Sequence, residues 1–264
     1  MVRAWHWSNR LLPNGWFDAF RQLFLFASAY YAYRIVRGMV DGKASVAFEN
    51  ARDIISAERS LNLFFEQDFQ EWALNHARWI VDTANWMYVN SHFVLTVGFL
   101  IWLYLARNEA YYFVRNMFMV AMGIALVGYV VYPTAPPRFM PEWGFQDTVT
   151  DWVGLQAAHN ANALYNPFAA VPSMHVAFAL MISVPALYVI RNPAIRAFFA
   201  VYPFLITVTV VVTGNHWWFD AFLGALVAGV SALAASGALA RARPDAWAFR
   251  TGLREARTFH AGMR

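Results

Sequence analysis

A run of about 18–20 apolar residues is long enough, as a helix, to cross the hydrocarbon core of a bilayer. This chain carries six such stretches, at 16–33, 85–105, 111–132, 171–190, 194–212 and 217–239. Backbone inside a bilayer must satisfy its own hydrogen bonds, and successive long apolar segments do so as helices. The expected fold is therefore all-α: a polytopic membrane protein with a six-transmembrane-helix bundle, read as one domain over 1–264. Composition agrees. Only 14% of the 264 residues are charged and 59% are hydrophobic, whereas soluble domains carry about 25% charge. Too few charges remain to coat a soluble enzyme of this size, and disordered, coiled-coil and collagen-like chains are excluded as well. Cysteine is absent, which removes disulfides and thiolate metal sites.

The connections carry the rest of the organisation. No clear small-residue cleavage site precedes the first apolar stretch, so it reads as a retained helix. Segment 43–80 is different in kind: Glu49, Asp53, Glu58, Glu66, Asp68 and Glu71 are interspersed with Val46, Phe48, Ile54, Ile55, Leu61, Leu63, Phe64 and Phe65. It reads as amphipathic helices lying along the interface, with a small soluble subdomain as the alternative. The connection 133–170 is rich in Pro, Asn and Trp, and long irregular loops at a membrane surface are often functional. Arg107, Arg115, Arg191, Arg196 and the arginines of the basic tail 240–264 fall at the same ends as Arg3 and Arg10. The positive-inside rule then puts both termini in the cytoplasm of a cell (plasma or inner) membrane, with 41–80, 133–170 and 213–216 outside. Arg34 and Arg37, at the outer end of the first stretch, run against that rule. The tail arginines read as a topology signal and a lipid-headgroup contact, with no nucleic-acid role.

This topology gathers three short segments at one face: Tyr132-Pro-Thr-Ala-Pro-Pro-Arg138, Asn166-Pro-Phe-Ala-Ala-Val-Pro-Ser-Met-His175 and Thr213-Gly-Asn-His-Trp-Trp-Phe-Asp220. Arg138, Ser173, His175, His216 and Asp220 thereby share one depth. His216 and Asp220 are spaced i,i+4, so on a helix they share a face and reach one another. A carboxylate on one imidazole nitrogen fixes the tautomer and leaves the other nitrogen to attack. His175 is placed to act as a general acid, and Arg138 offers a planar fork for phosphate oxygens. Ser173 and the first amides of the fourth span add donors where helix N-termini favour anions. Together these parts suit phosphoryl transfer through a phosphohistidine, with no cofactor.

Pro172-Ser-Met-His175 and the His216-xxx-Asp220 pair resemble the second and third motifs of the type 2 phosphatidic acid phosphatase superfamily. The longer strings are similar to the branch containing inositol phosphorylceramide synthases. The resemblance implies that His216 is the nucleophile, that Asp220 orients it, and that His175 protonates the leaving group. It implies that Arg138 and Ser173 bind phosphate, without a metal, and that water or an alcohol then takes the phosphoryl group. Two family cations are missing: Val131 stands where the first motif has Lys, and Thr209-Val210 stand for a Ser-Arg pair, while Phe139 replaces a Pro. Arg34, Arg37 and Lys43 are candidate substitutes. Asn166, Asn215 and Tyr132 are candidate substrate contacts.

The expectation is a lipid phosphotransferase, with transfer to an inositol- or sugar-type alcohol favoured over simple lipid or polyprenyl phosphate hydrolysis. Its partners are a phospholipid or lipid-linked phosphate, an alcohol acceptor and the bilayer. Other readings remain open at this level. The His216–Asp220 pair suits interhelical glue, His175 with His216 and Asp220 suits a zinc site, Arg138 suits a snorkelling anchor, and Ser173 suits a helix cap. Asn166 and Asn215 suit turns. A lipid transporter also fits six spans, though its ionisable residues are expected along a path rather than at one end. His92, like His6, His76 and His260, has no chemical context in the sequence.

Overall fold

The computed structural model describes residues 12–38, 44–154 and 168–239. Lys43, Asn166 and the basic tail 240–264 lie outside the described residues. Ten α-helices follow one another in the order α1 (Gly15–Gly38), α2 (Ala44–Ser60), α3 (Glu66–His76), α4 (Arg78–Trp86), α5 (His92–Ala106), α6 (Asn108–Val131), α7 (Thr148–Val153), α8 (Met174–Val189), α9 (Pro193–Val212) and α10 (Trp218–Ala234), among the described residues. A π-helical segment, Met87–Ser91, joins α4 to α5 without a break, and another, Ala235–Leu239, extends α10. There is no β-strand among the described residues, only an isolated bridge between Thr134 and Ala169.

Four helical stretches are long and apolar enough to cross a membrane: Arg78–Ala106, Asn108–Val131, Pro193–Val212 and Trp218–Gly237. The other two segments expected to span fall short for different reasons. Helix α1 has 24 residues, about 36 Å at 1.5 Å per residue, but Asp18, Arg21, Arg34 and Arg37 dilute its apolar character. Helix α8 is apolar but has 16 residues, about 24 Å against a hydrocarbon core of about 30 Å. The expected start of the second span at 85 is also revised: the helix runs unbroken from Arg78. Its first turns carry Arg78 and Asp82 on one exposed side, paired at 3.8 Å.

The outward surface is apolar. Phe93, Val97 and Ile101 on α5, and Phe222, Leu226, Val230 and Leu233 on α10, recur at helical spacing and are exposed. Inside, small residues let the helices approach closely: Ala121 and Ala125 on α6, Ala177, Ala179 and Ala186 on α8, and Ala221 and Ala228 on α10 are all buried. Helix α9 starts with Pro193 in its first turn, and the Asn192 side chain accepts from the amides of Ala194 and Ile195.

Segment 44–76 forms two amphipathic helices. Their inner face is not directed at the bundle flank but at its end. Ala47, Ala51, Ile54 and Ile55 of α2 pack on Ala135, Met140, Phe145, Val171 and Trp217. These helices roof the loops that carry the three motif segments.

Candidate active site

Main-chain hydrogen bonds stitch the three loops together where α6 stops and α8 and α10 begin. The Arg138 amide donates to the Gly214 carbonyl at 2.8 Å, and the Thr134 amide donates to the Phe168 carbonyl at 2.9 Å. The Ser173 amide donates to the Asp220 carbonyl at 3.0 Å, and the Trp217 indole donates to the Ala135 carbonyl at 3.2 Å. Two glycines permit this. A Cβ on Gly224 would lie 2.2 Å from the Ser173 carbonyl oxygen, so α10 touches the turn before α8 only because that position has no side chain. Gly214 turns with φ +66°, the left-handed region that favours glycine.

The spacing predicts His216 and Asp220 on one helix face, and the structure corrects this. His216 lies in the turn before α10, because Trp217 is extended (φ −68°, ψ 151°) and the helix begins at Trp218. Asp220 folds back from the first turn. Its Oδ2 accepts the Trp217 amide at 3.0 Å and lies 3.4 Å from His216 Nδ1. The closer partner of that nitrogen is the Ala170 carbonyl, at 2.8 Å. A carbonyl oxygen only accepts, so Nδ1 carries the hydrogen and Nε2 keeps its lone pair. Burial pushes the His216 imidazole down to about 4; the Ala170 carbonyl opposes this and the Arg138 guanidinium adds to it. The ring is therefore neutral at neutral pH.

His175 is the second residue of α8, and its ring centroid lies 5.6 Å from that of His216, with the planes at 63°. The two imidazoles are close enough to reach one substrate group. Ser173 holds the N-cap position of α8, yet its hydroxyl makes no cap bond. That Oγ is buried with no hydrogen-bond partner in the protein, so the capping alternative does not account for it. Arg138 sits in the short turn Pro137–Phe139 and is 7% exposed, which does not fit a snorkelling anchor. Its guanidinium lies over the Phe139 ring at 4.8 Å and has Asp147 Oδ1 4.0 Å away. No group of three His, Cys, Asp or Glu side chains able to hold a metal ion occurs among the described residues.

The secondary candidates separate. Asn215 donates to Thr213 Oγ1 at 2.7 Å inside its own turn, and the Tyr132 hydroxyl donates to the Asn50 carbonyl at 3.3 Å. Both polar groups thus have structural partners. Arg34 and Arg37 fall in the last turns of α1, but their side chains, like Lys43 and Asn166, lie outside what is described.

Several residues at the site carry no specific signal in the sequence. Glu58 and Glu66 are buried and accept the amides of Phe219 and Trp218 at 3.3 and 3.1 Å. With Asp220 on Trp217, three carboxyls hold three successive amides at the start of α10, where unsatisfied N–H groups and the helix dipole favour negative charge. Burial and the neighbouring Glu66 push Glu58 up to about 9, so it stays protonated at neutral pH, and burial also raises Glu66. Tyr88 and His92 stand against His175, with ring centroids 4.6 and 4.7 Å away. Their i,i+4 spacing was the only available cue, and it is equally a cue for core packing.

A family model described as the PAP2 superfamily matches residues 52–234, well over half of the chain. The chain belongs to the PAP2 superfamily. No curated protein and no solved structure matches it. The PAP2 match spans Arg138, Ser173, His175, His216 and Asp220, as well as Glu58, Glu66, Tyr88 and His92. It also spans the two positions where the resemblance leads one to expect cations. Val131 is 74% exposed on the outside of α6 and Val210 is fully buried in the core, so neither departure is compensated at its own position.

Proposed function

We propose that this PAP2-superfamily membrane protein is a lipid phosphotransferase working through a phosphohistidine on His216, with the phosphoryl-headgroup passed to an alcohol. The observation that carries the reading is the His216 ring: Nδ1 is held by the Ala170 carbonyl, Nε2 is left with its lone pair, and His175 stands beside it.

In the first half-reaction His216 Nε2 attacks phosphorus. The P–N bond forms as the P–O bond to the lipid alcohol breaks, and His175 gives its proton to the departing oxygen. In the second, His175 takes a proton from the acceptor hydroxyl, whose oxygen attacks phosphorus as the P–N bond breaks. Arg138 and Ser173 Oγ bind the non-bridging oxygens. Asp220, with the Ala170 carbonyl, keeps the imidazole in the attacking tautomer and steadies it as charge develops. The sequence lacks the two family cations expected at positions 131 and 210, and fewer cations suit a substrate with one negative charge on phosphorus, a diester, over a doubly charged monoester. With the inositol phosphorylceramide synthase-like strings, this supports headgroup transfer to an inositol- or sugar-type acceptor.

In this reading α1 and α8 complete six spans, α2 and α3 lie at the interface, both termini are cytoplasmic, and the site faces the outside. The test is product analysis with phosphatidic acid and phosphatidylinositol in mixed micelles, with and without inositol or a sugar. Headgroup transfer from the diester that rises with acceptor concentration supports the proposal. Release of inorganic phosphate from the monoester, indifferent to acceptors, replaces it with hydrolysis.

A further inference from the structure

The mechanism above leaves a difficulty at His175. That imidazole sits among buried side chains and has to carry a proton at the moment the leaving group departs. Burial disfavours the charged form of any imidazole unless something nearby compensates. The protonated ring also has two N–H groups: one is directed to the leaving oxygen and the other needs an acceptor.

Two aromatic side chains border that ring. Tyr88 stacks on the His175 ring at 4.6 Å and 27°, the arrangement in which an aromatic face attracts a cation. His92 meets the same ring at 4.7 Å and 46°. His92 is 9% exposed, and its Nδ1 has no hydrogen-bond partner in the protein. Its own ring is pinned by Phe178, stacked at 5.9 Å and 6°, which in turn packs on Phe118 at 4.6 Å. Tyr88 belongs to the π-helical segment Met87–Ser91, and His92 begins the helix that follows. Single-turn π-segments inside α-helices are frequent at functional sites.

We propose that Tyr88 and His92 are positioning residues for His175: the Tyr88 ring face and the His92 nitrogen bracket its imidazole and stabilise it while it holds the proton destined for the leaving group. This rests on the phosphoryl-transfer reading and deepens it. The other titratable groups facing His175 are His216, in the turn before α10, and Arg138, in the turn Pro137–Phe139. Both are held by main-chain hydrogen bonds that the variants below leave in place.

The experiment uses the full chain in mixed micelles, with phosphatidic acid and phosphatidylinositol as probes, and measures kcat and KM across pH. Tyr88→Phe keeps the ring and is expected to match the wild type. Tyr88→Leu and His92→Phe are expected to lower kcat by about tenfold, the size of a buried cation–π or charge-assisted contact. They are expected to leave KM within about twofold and to move the alkaline limb of the kcat profile to lower pH, because the protonated form of His175 is lost sooner. His92→Gln returns an acceptor atom and is expected to recover part of the loss. His92→Phe preserves ring and volume, so its melting temperature should match the wild type and keep folding out of the comparison. Wild-type kcat and an unmoved alkaline limb in Tyr88→Leu and His92→Phe would overturn the assignment, as would an equal loss in Tyr88→Phe. His175→Ala separates the two levels: if it retains turnover, the phosphoryl-transfer reading itself fails. If it is inactive while the bracket variants behave as wild type, only the bracket fails.

Discussion

The bundle buries two polar clusters, one near each end of α6, and they are completed differently. Near its start, Arg115 donates to Gln22 Oε1 at 2.7 Å and to Asn116 Oδ1 at 2.7 and 3.1 Å. Beside it, Asp18 accepts the hydroxyls of Tyr112 and Tyr104 at 2.7 and 3.0 Å and the Gln22 amide at 2.8 Å. Asn116 Nδ2 is the exception. Near the end of α6, Tyr129 reaches the Pro172 carbonyl at 3.4 Å, about 21 Å along the helix from Arg115 at 1.5 Å per residue. There the pairing is incomplete: Ser173 Oγ, Asp220 Oδ1, His92 Nδ1 and Trp218 Nε1 are all buried without a protein partner. Buried polar groups are normally satisfied. A cluster paired but for one amide ties α1 to α6. One that leaves donors and acceptors unpaired around a directed imidazole is where the proposed reaction is placed.

Substitutions in the two clusters should act on different properties. The largest effect belongs to His216→Ala, expected to lower turnover by about 10³-fold or more while the melting temperature stays put; a shared loss of stability would make the site another tie. Ser173→Ala comes next. Because its hydroxyl bonds to nothing in the fold, turnover should drop by about 10- to 100-fold, with stability unchanged in thermal melts. At the other cluster the pattern reverses. Arg115→Met leaves Gln22 and Asn116 short of a donor and should cost about 3 kcal/mol of stability, read by denaturation, with kcat per folded molecule intact.

The smallest effect concerns Glu58. Its pKa rises from 4.5 to about 9 in the fold, so between these values the folded state holds a proton that the unfolded chain has released. Stability is fully present below about 4.5 and is lost as pH rises through about 9. Glu58→Gln removes that proton and should flatten the melting temperature between pH 5 and 9, gaining most at the alkaline end. A slope as steep as the wild type's would contradict the assignment of the proton to Glu58.

Much of this was legible in sequence, and the reasons are physical. Apolar runs report helices because the bilayer leaves few alternatives, and the motif strings carry Arg138, Ser173, His175, His216 and Asp220 into one end of the bundle. What the runs do not report is length against bilayer thickness. Helix α8 ends at Val189, with Ile190 extended, and α1 is diluted by its own charges. The i,i+4 spacing of His216 and Asp220 suggested a helix face, but an extended Trp217 places them across a turn. The Ala170 carbonyl could not be found at all, since a backbone acceptor has no letter. Glu58 and Glu66 read as wet residues of an amphipathic segment. Only the roofing of the site by α2 and α3 turns them inward.

A phosphohistidine on His216 is detectable by rapid-quench mass spectrometry of the wild type turning over phosphatidylinositol in micelles, quenched under alkaline conditions that preserve phosphoramidates. The expected result is an acid-labile phosphoryl-headgroup adduct on His216 that forms within one turnover, decays faster as acceptor alcohol is raised, and is missing in His216→Ala. Steady turnover with His216 unmodified at every time point, or an adduct mapped to another side chain, would contradict the account.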